Sequence, residues 1–174
     1  IILVVILAFA GVFYFNYRNA EIKKQASVLH EIYIDIEQAY YHTEEAFTMA
    51  ATVLSAEKKY WDTDLEAALG SVINKGTWVK SDVVSARELL ERIDTALETN
   101  VKASQFLPKQ FNELKGMRDY IRDYFNYMGA RNPETDARFK TGPEWMSYFE
   151  KMVVSLNEFD ELKKNFLSEI NRLR

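Results

Sequence analysis

The chain has 174 residues, which is enough for one domain or for one domain and an anchor. Hydrophobic residues make up 48% of it, which is typical of a folded chain. The formal charge is −4, and acidic and basic residues are interleaved. This pattern disfavours a nucleic-acid partner, because phosphate binding requires a basic face. The absence of cysteine excludes disulfides, thiolate nucleophiles, iron–sulfur clusters and cysteine zinc sites. Only 6 Gly and 3 Pro occur, and this scarcity of turn residues indicates few, long helices.

The chain opens with an apolar segment, 1–15, that carries no charge and no side-chain amide. The segment is apolar on every helical face, which is typical of a membrane span and not of a core helix with one apolar stripe. Aromatic and then basic residues follow, as they do at a membrane interface. We therefore expect a single-pass membrane anchor at 1–19. The expected anchor residues are Ile1, Val5, Phe9, Phe13, Phe15, Tyr17 and Arg18.

The side of the membrane on which the remaining residues lie stays open at this point. Basic residues directly after the apolar segment weakly favour a cytoplasmic body. Analogy with other anchored helical bundles slightly favours the opposite, extracytoplasmic side.

A helical stripe follows the anchor and continues for more than four heptads. Apolar residues recur in alternating steps of four and three from Ile22 to Leu54, with a second apolar row one residue before the stripe. A buried face of this width is typical of a bundle helix with two neighbours. No glycine or proline interrupts 12–60, so we expect the anchor and this helix to form one rod of roughly 55 residues, or about 80 Å.

Four further helices are predicted in chain order. A short helix within 62–75 precedes a second long helix that begins near residue 81 and ends before Pro108, because proline disfavours helix at the preceding residue. A third helix covers 109–130, and a loop at 131–142 leads to the last helix, which Pro143 opens. The residues expected to face inward on the second long helix are Ala86, Leu90, Ile93, Leu97 and Val101.

These elements predict an all-α fold. Its N-terminal apolar helix, of the transmembrane type, is continuous with a long amphipathic helix, and the latter packs in an antiparallel bundle of about four helices. The domain boundaries are an anchor at 1–19 and a helical bundle domain at 20–174.

The sequence contains little that predicts catalysis or cofactor binding. His30 and His42 lie twelve residues apart on one helix, about 120° apart around its axis and about 18 Å along it, so they cannot share a metal ion. The pair of Glu-x-x-His motifs that builds a metal site in a helical bundle is absent, as are a phosphate-binding glycine loop and a serine elbow. We therefore expect no enzyme activity, no cofactor and no metal.

Aromatic residues are unusually frequent, at 14%. Tyrosine combines a large apolar ring with a hydroxyl that requires a partner, so it suits interfaces and half-wet grooves. Two interpretations stay open: rings that fill the bundle core, or a partner or small-ligand surface between the first and third long helices. The residues of this candidate surface are Tyr33, Tyr40, Tyr41, Tyr120, Tyr124 and Tyr127.

Two resemblances concern the general plan. The front of the chain resembles type IV pilins, in which an apolar N-terminal segment continues into one long helix, but Val5 stands where that family has a glutamate, and the remainder reads as helix where pilin heads are β-sheets. The chain from Ile22 onward resembles chemoreceptor sensor bundles, without the second span that follows their last helix. The first resemblance implies a filament core, and the second a ligand between helices.

The leading hypothesis is a non-enzymatic, membrane-anchored subunit of a larger assembly. Its expected partners are the lipid bilayer, through the N-terminal helix, and other protein subunits, among them copies of the same chain. A pilin-like filament subunit and a membrane-anchored sensory or small-ligand bundle are the alternatives. The chain begins with Ile1 and not with methionine. Two explanations stay open: a processed N-terminus, which the filament alternative requires, or a longer chain with further residues in front of Ile1.

Overall fold

The structure is a computed structural model that describes residues 2–56, 77–128 and 142–174. Nearly all of these residues are helical and none lies in a strand, which confirms the predicted all-α class. The short helix predicted within 62–75 and the loop predicted from 131 onward lie outside the described residues, apart from the first residue of the last helix. The helices are α1 Ile2–Ala56, α2 Thr77–Thr99, α3 Val101–Phe106, α4 Pro108–Met128 and α5 Gly142–Leu173.

The core lies between α1, α2, α4 and α5, and it begins about 20 residues into α1. The predicted stripe of α1 is buried there at Ala26, Leu29 and Ile36, as is the row beside it at Ile32 and Ala39. Helix α1 contacts all the other helices, so its wide apolar face is matched by several neighbours at once. The largest fully buried side chains of the core are Phe159, Phe166, Leu29, Ile36, Ile93, Leu114, Met117 and Ile121.

The second long helix ends earlier than the sequence predicts. Asn100 leaves the helical conformation, with φ −93° and ψ 54°, and its Nδ2 donates a hydrogen bond to the Ala96 carbonyl oxygen at 2.7 Å. Asparagine often interrupts helices in this way, because its side chain competes for backbone groups. The break changes the helical phase, so the prediction that Val101 faces inward is wrong: its side chain is 56% exposed.

Ion pairs between helices fix the direction of neighbouring helices. Arg92 of α2 donates two hydrogen bonds to Asp35 of α1, and His42 lies 2.7 Å from Asp82, so α1 and α2 run antiparallel. Helices α4 and α5 are antiparallel for the same reason, since Lys109 contacts Glu169 and Tyr120 donates a hydrogen bond to Glu158. The remaining interhelical ion pairs of the described residues join Asp94 to Arg118 and Arg122, Glu37 to Lys163, and Glu21 to Lys102.

Candidate functional site

The first exposed surface is the part of α1 that precedes the core. The side chains of 9–20 are all exposed, and those of Phe9 and Phe13 are 74% and 76% exposed. Apart from Gly11 itself, its two neighbours and the backbone of the same helix, no described atom lies within 4 Å of the position that a Cβ on Gly11 would take. Exposed apolar groups clustered in this way are typical of a surface that contacts lipid or another protein. The large apolar residues exposed there are Phe9, Val12, Phe13, Tyr14, Phe15 and Tyr17.

Five of the seven expected anchor residues lie in this exposed stretch, namely Phe9, Phe13, Phe15, Tyr17 and Arg18. The side chains of Ile1 and Val5 are outside the described residues. Over the described part of the chain, no helix has both the length and the apolar character needed to cross a bilayer.

A buried polar pair lies where α1 enters the core. The side chains of Glu21 and Gln25 are buried, and Gln25 Nε2 donates a hydrogen bond to Glu21 Oε1 at 2.7 Å. The Lys102 ammonium of α3 lies 4.0 Å from the same carboxylate oxygen. The amide and the ammonium therefore compensate the carboxylate for the water that it loses on burial, as a buried charge requires.

Three of the candidate tyrosines form one aromatic cluster with Phe159, which two of them contact directly. The Tyr40 ring stacks on Phe159 with a centroid distance of 4.2 Å and an interplanar angle of 12°, and Tyr120 meets the same ring edge-on at 6.0 Å. Tyr124 is buried and meets Tyr40 edge-on at 6.1 Å, and their side chains hydrogen-bond to each other. Burial, followed by the nearby Glu44 carboxylate, raises the pKa of Tyr40 to about 12. The rings themselves therefore fill this space between α1, α4 and α5.

The other three candidate tyrosines do not join this cluster. Tyr33 is buried, stacks on Phe166 at 5.3 Å and donates a hydrogen bond to Glu37 Oε1 at 3.0 Å, and burial raises its pKa. Tyr41 is exposed and meets the His42 ring edge-on. The side chain of Tyr127 is outside the described residues.

The two histidines have separate surroundings, as their spacing predicts. His42 Nδ1 lies 2.7 Å from Asp82 Oδ1, and both side chains are half-buried between α1 and α2. Desolvation by burial, followed by the Arg174 charge, lowers the pKa of His30. Among the described side chains, no group of three or more potential ligands is placed to hold a metal ion.

An open groove lies between α1 and α2. It consists of two adjoining spaces of about 540 Å³ and 480 Å³, which share Asp35, Arg92, Ala96 and Asn100 as lining residues. Sequence reasoning missed this groove, because its two sides are about 60 residues apart in the chain. The one available signal was Ile34, an apolar residue outside the predicted stripe of α1.

A comparison of the chain with protein-family models, with curated proteins and with solved structures gives no match.

Proposed function

We propose that this protein is a non-enzymatic, membrane-anchored helical subunit of a larger protein assembly. In this proposal residues 1–19 anchor an antiparallel bundle of about four helices at 20–174. The observation that carries it is the exposure of the large apolar side chains of α1 from Phe9 to Tyr17, outside the core to which the rest of α1 contributes.

The chemistry of this segment favours lipid as its partner. Burying one phenylalanine side chain contributes about 1.5–3 kcal/mol. Transfer of the six exposed large apolar side chains from water into lipid would therefore be strongly favourable. They surround the helix and do not form one stripe, which suits a solvent that contacts every face. The exposed Arg18, Lys23 and Lys24 follow on the side of the bundle, where they would meet the headgroups.

A structural role of the bundle is supported by what its polar groups do. Arg118 and Arg122 of α4 both donate to Asp94 of α2, and Lys163 of α5 pairs with Glu37 of α1. These groups join helices to one another and do not converge on a shared cavity. The space beside Tyr40 that a small ligand would need is filled by Phe159, so this packing gives no support to the sensory alternative.

Flotation with vesicles of neutral phosphatidylcholine tests the anchor. We expect the full chain to float with the vesicles and a Phe9→Glu/Phe13→Glu variant to remain at the bottom of the gradient, because each charged side chain costs about 2.5–3.5 kcal/mol in a bilayer centre. The matched control, Val84→Glu/Val101→Glu, places the same two charges at exposed apolar positions of the bundle and should float as the unmodified chain does. Equal flotation of all three proteins would contradict the anchor.

A filament core is the second candidate, and Gly11 is the observation that favours it. A glycine with open space beside it lets another helix approach closely. Gly11→Leu separates the two functions: in lipid the added side chain is tolerated, whereas in a helix-packed core it keeps neighbouring helices apart. Unchanged flotation together with unchanged sedimentation of the detergent-solubilised protein would favour the plain anchor, and loss of large assemblies would favour the filament.

A further inference from the structure

The large apolar side chains that are exposed among the described residues after 20 belong to α1, α2 and α3. They are Ile34 and Tyr41 on α1, Val84 on α2 and Val101 on α3. The described exposed residues of α4 and α5 include no large hydrophobic side chain. Exposed apolar side chains that lie beside a groove are typical of a surface that contacts a partner.

Three of these residues flank the open groove between α1 and α2. Ile34 lines the groove, and Tyr41 lies two turns further along the same face of α1. Val84 lies one turn before Glu88, a lining residue of α2. Val101 lies on α3, after the break at Asn100, and does not belong to this set. We call the groove together with Ile34, Tyr41 and Val84 the α1–α2 face.

The rim of the groove is acidic. Its ionisable lining residues are four carboxylates and one guanidinium, which gives a formal charge of −3. Asp35 and Arg92 form an ion pair with each other and cancel. Glu31, Glu88 and Glu91 are exposed, and none of them forms an ion pair with another described residue.

We propose that the α1–α2 face is the docking site for a basic amphipathic helix of a partner protein. The apolar stripe of such a helix fits the side chains of Ile34 and Ala96, and its lysine or arginine residues meet the three unpaired carboxylates. The proposal rests on the assembly role proposed above, and it names the surface and the class of partner.

The dimensions and the charge of the groove support this choice. Glu88 and Asn100 lie twelve residues apart on or directly after α2, so the groove is about 18 Å long, which matches about three turns of a partner helix. An anionic lipid surface would be repelled by the carboxylates, and so would an acidic peptide. Complementary charge raises the association rate and sets specificity, whereas apolar contacts supply most of the affinity.

A site-specific label tests the docking site in the full chain held in neutral detergent. The protein has no cysteine, so Thr95→Cys in the groove and Asn165→Cys on the exposed side of α5 each give one attachment point for an environment-sensitive fluorophore. The probe is a 14-residue peptide of leucine and lysine with leucines at helical spacing, and its control has the same composition with the leucines scattered. We expect the amphipathic peptide to change the fluorescence at position 95 and not at 165.

Charge removal gives the quantitative part of the test. Glu88→Gln/Glu91→Gln should raise the Kd of the peptide about tenfold at low salt, and the matched pair Glu150→Gln/Glu161→Gln, exposed on α5, should leave it unchanged. Equal signals at 95 and 165, equal binding of the scattered peptide, or no effect of Glu88→Gln/Glu91→Gln would overturn the proposal. A signal at 95 that rises with protein concentration before any peptide is added would identify a second copy as the occupant and would overturn it too.

The docking-site proposal and the anchor proposal can be refuted independently of each other. Vesicle flotation of Glu88→Gln/Glu91→Gln should equal that of the unmodified chain, because these residues are remote from the exposed apolar segment. Peptide binding that is absent while flotation is intact overturns the docking site alone. Flotation that is absent while peptide binding is intact overturns the anchor alone.

Discussion

Phe159 is the residue whose truncation we expect to destabilise the packed helices most. Its side chain is only 2% exposed and lies between the rings of Tyr40 and Tyr120. Replacing a buried phenylalanine with alanine costs about 3–5 kcal/mol, from lost burial and from the cavity that remains. Each aromatic pair accounts for about 0.5–1.5 kcal/mol of this loss. We therefore expect Phe159→Ala to lower the free energy of unfolding by about 4 kcal/mol.

Phe159→Leu separates volume from ring geometry. Leucine keeps most of the buried volume and loses the stack on Tyr40 and the edge contact with Tyr120. The expected loss is about 1–2 kcal/mol, because substitutions that conserve volume are tolerated and only the aromatic contribution disappears. The difference between the two variants measures the contribution of the filled volume.

Denaturation of the full chain in neutral detergent, followed by circular dichroism at the helical band, is the assay. For a domain of this size each kcal/mol lowers Tm by about 2–4 °C, so Phe159→Ala should lower Tm by roughly 8–16 °C. A loss below about 1 kcal/mol would show that the ring is not packed between α1 and α4. Equal losses for the leucine and alanine variants would show that filled volume is not the cause.

Two further predictions concern charges at helix contacts. Asp94→Asn should cost about 1–3 kcal/mol, because it removes the charge that pairs with both Arg122 and the largely buried Arg118. Asp35→Asn, opposite the exposed Arg92, should cost less than about 1 kcal/mol, and equal losses in urea denaturation would contradict this. Burial raises the pKa of Glu113, so the folded state loses stability as the pH rises through the range just above the ordinary carboxyl value. Glu113→Gln should therefore stabilise the protein near pH 7 and have little effect near pH 3, well below the ordinary carboxyl pKa, where the unmodified carboxyl is protonated in both states. An equal gain at both pH values would refute the burial argument.

The core of α1 was predictable from the sequence, because helical periodicity and burial depend on residues close together in the chain. Ala26, Leu29 and Ile36 recur at the spacing of one helical face, and the structure buries all three. The predicted start of the last helix near Pro143 is also confirmed, since α5 begins at Gly142. In each case the signal was local.

The contacts between helices could not be predicted from the sequence, because they depend on how the helices are aligned with one another. In the sequence, Asp35 and Arg92 look like ordinary surface residues, and their contact is evident only when α1 and α2 lie side by side. The same is true of His42 and Asp82. The groove was not predicted for the same reason, since residues of both helices line it. The prediction for Val101 was wrong for a different reason. The apolar pattern of the sequence continues across Asn100, whereas the helix is interrupted there.

The two proposed surfaces are held in a fixed relation by α1. This helix is continuous from Ile2 to Ala56, and it carries both the exposed apolar segment and one wall of the groove. Tyr17 and Val28, the last exposed aromatic residue of the segment and the first lining residue on α1, are eleven residues apart, or about 17 Å along the axis. If the apolar segment lies in a bilayer, a helix docked in the groove is therefore held within about two helix diameters of the membrane surface. A partner with its own membrane segment meets this requirement most easily, since anchoring both proteins in one bilayer raises their effective concentration.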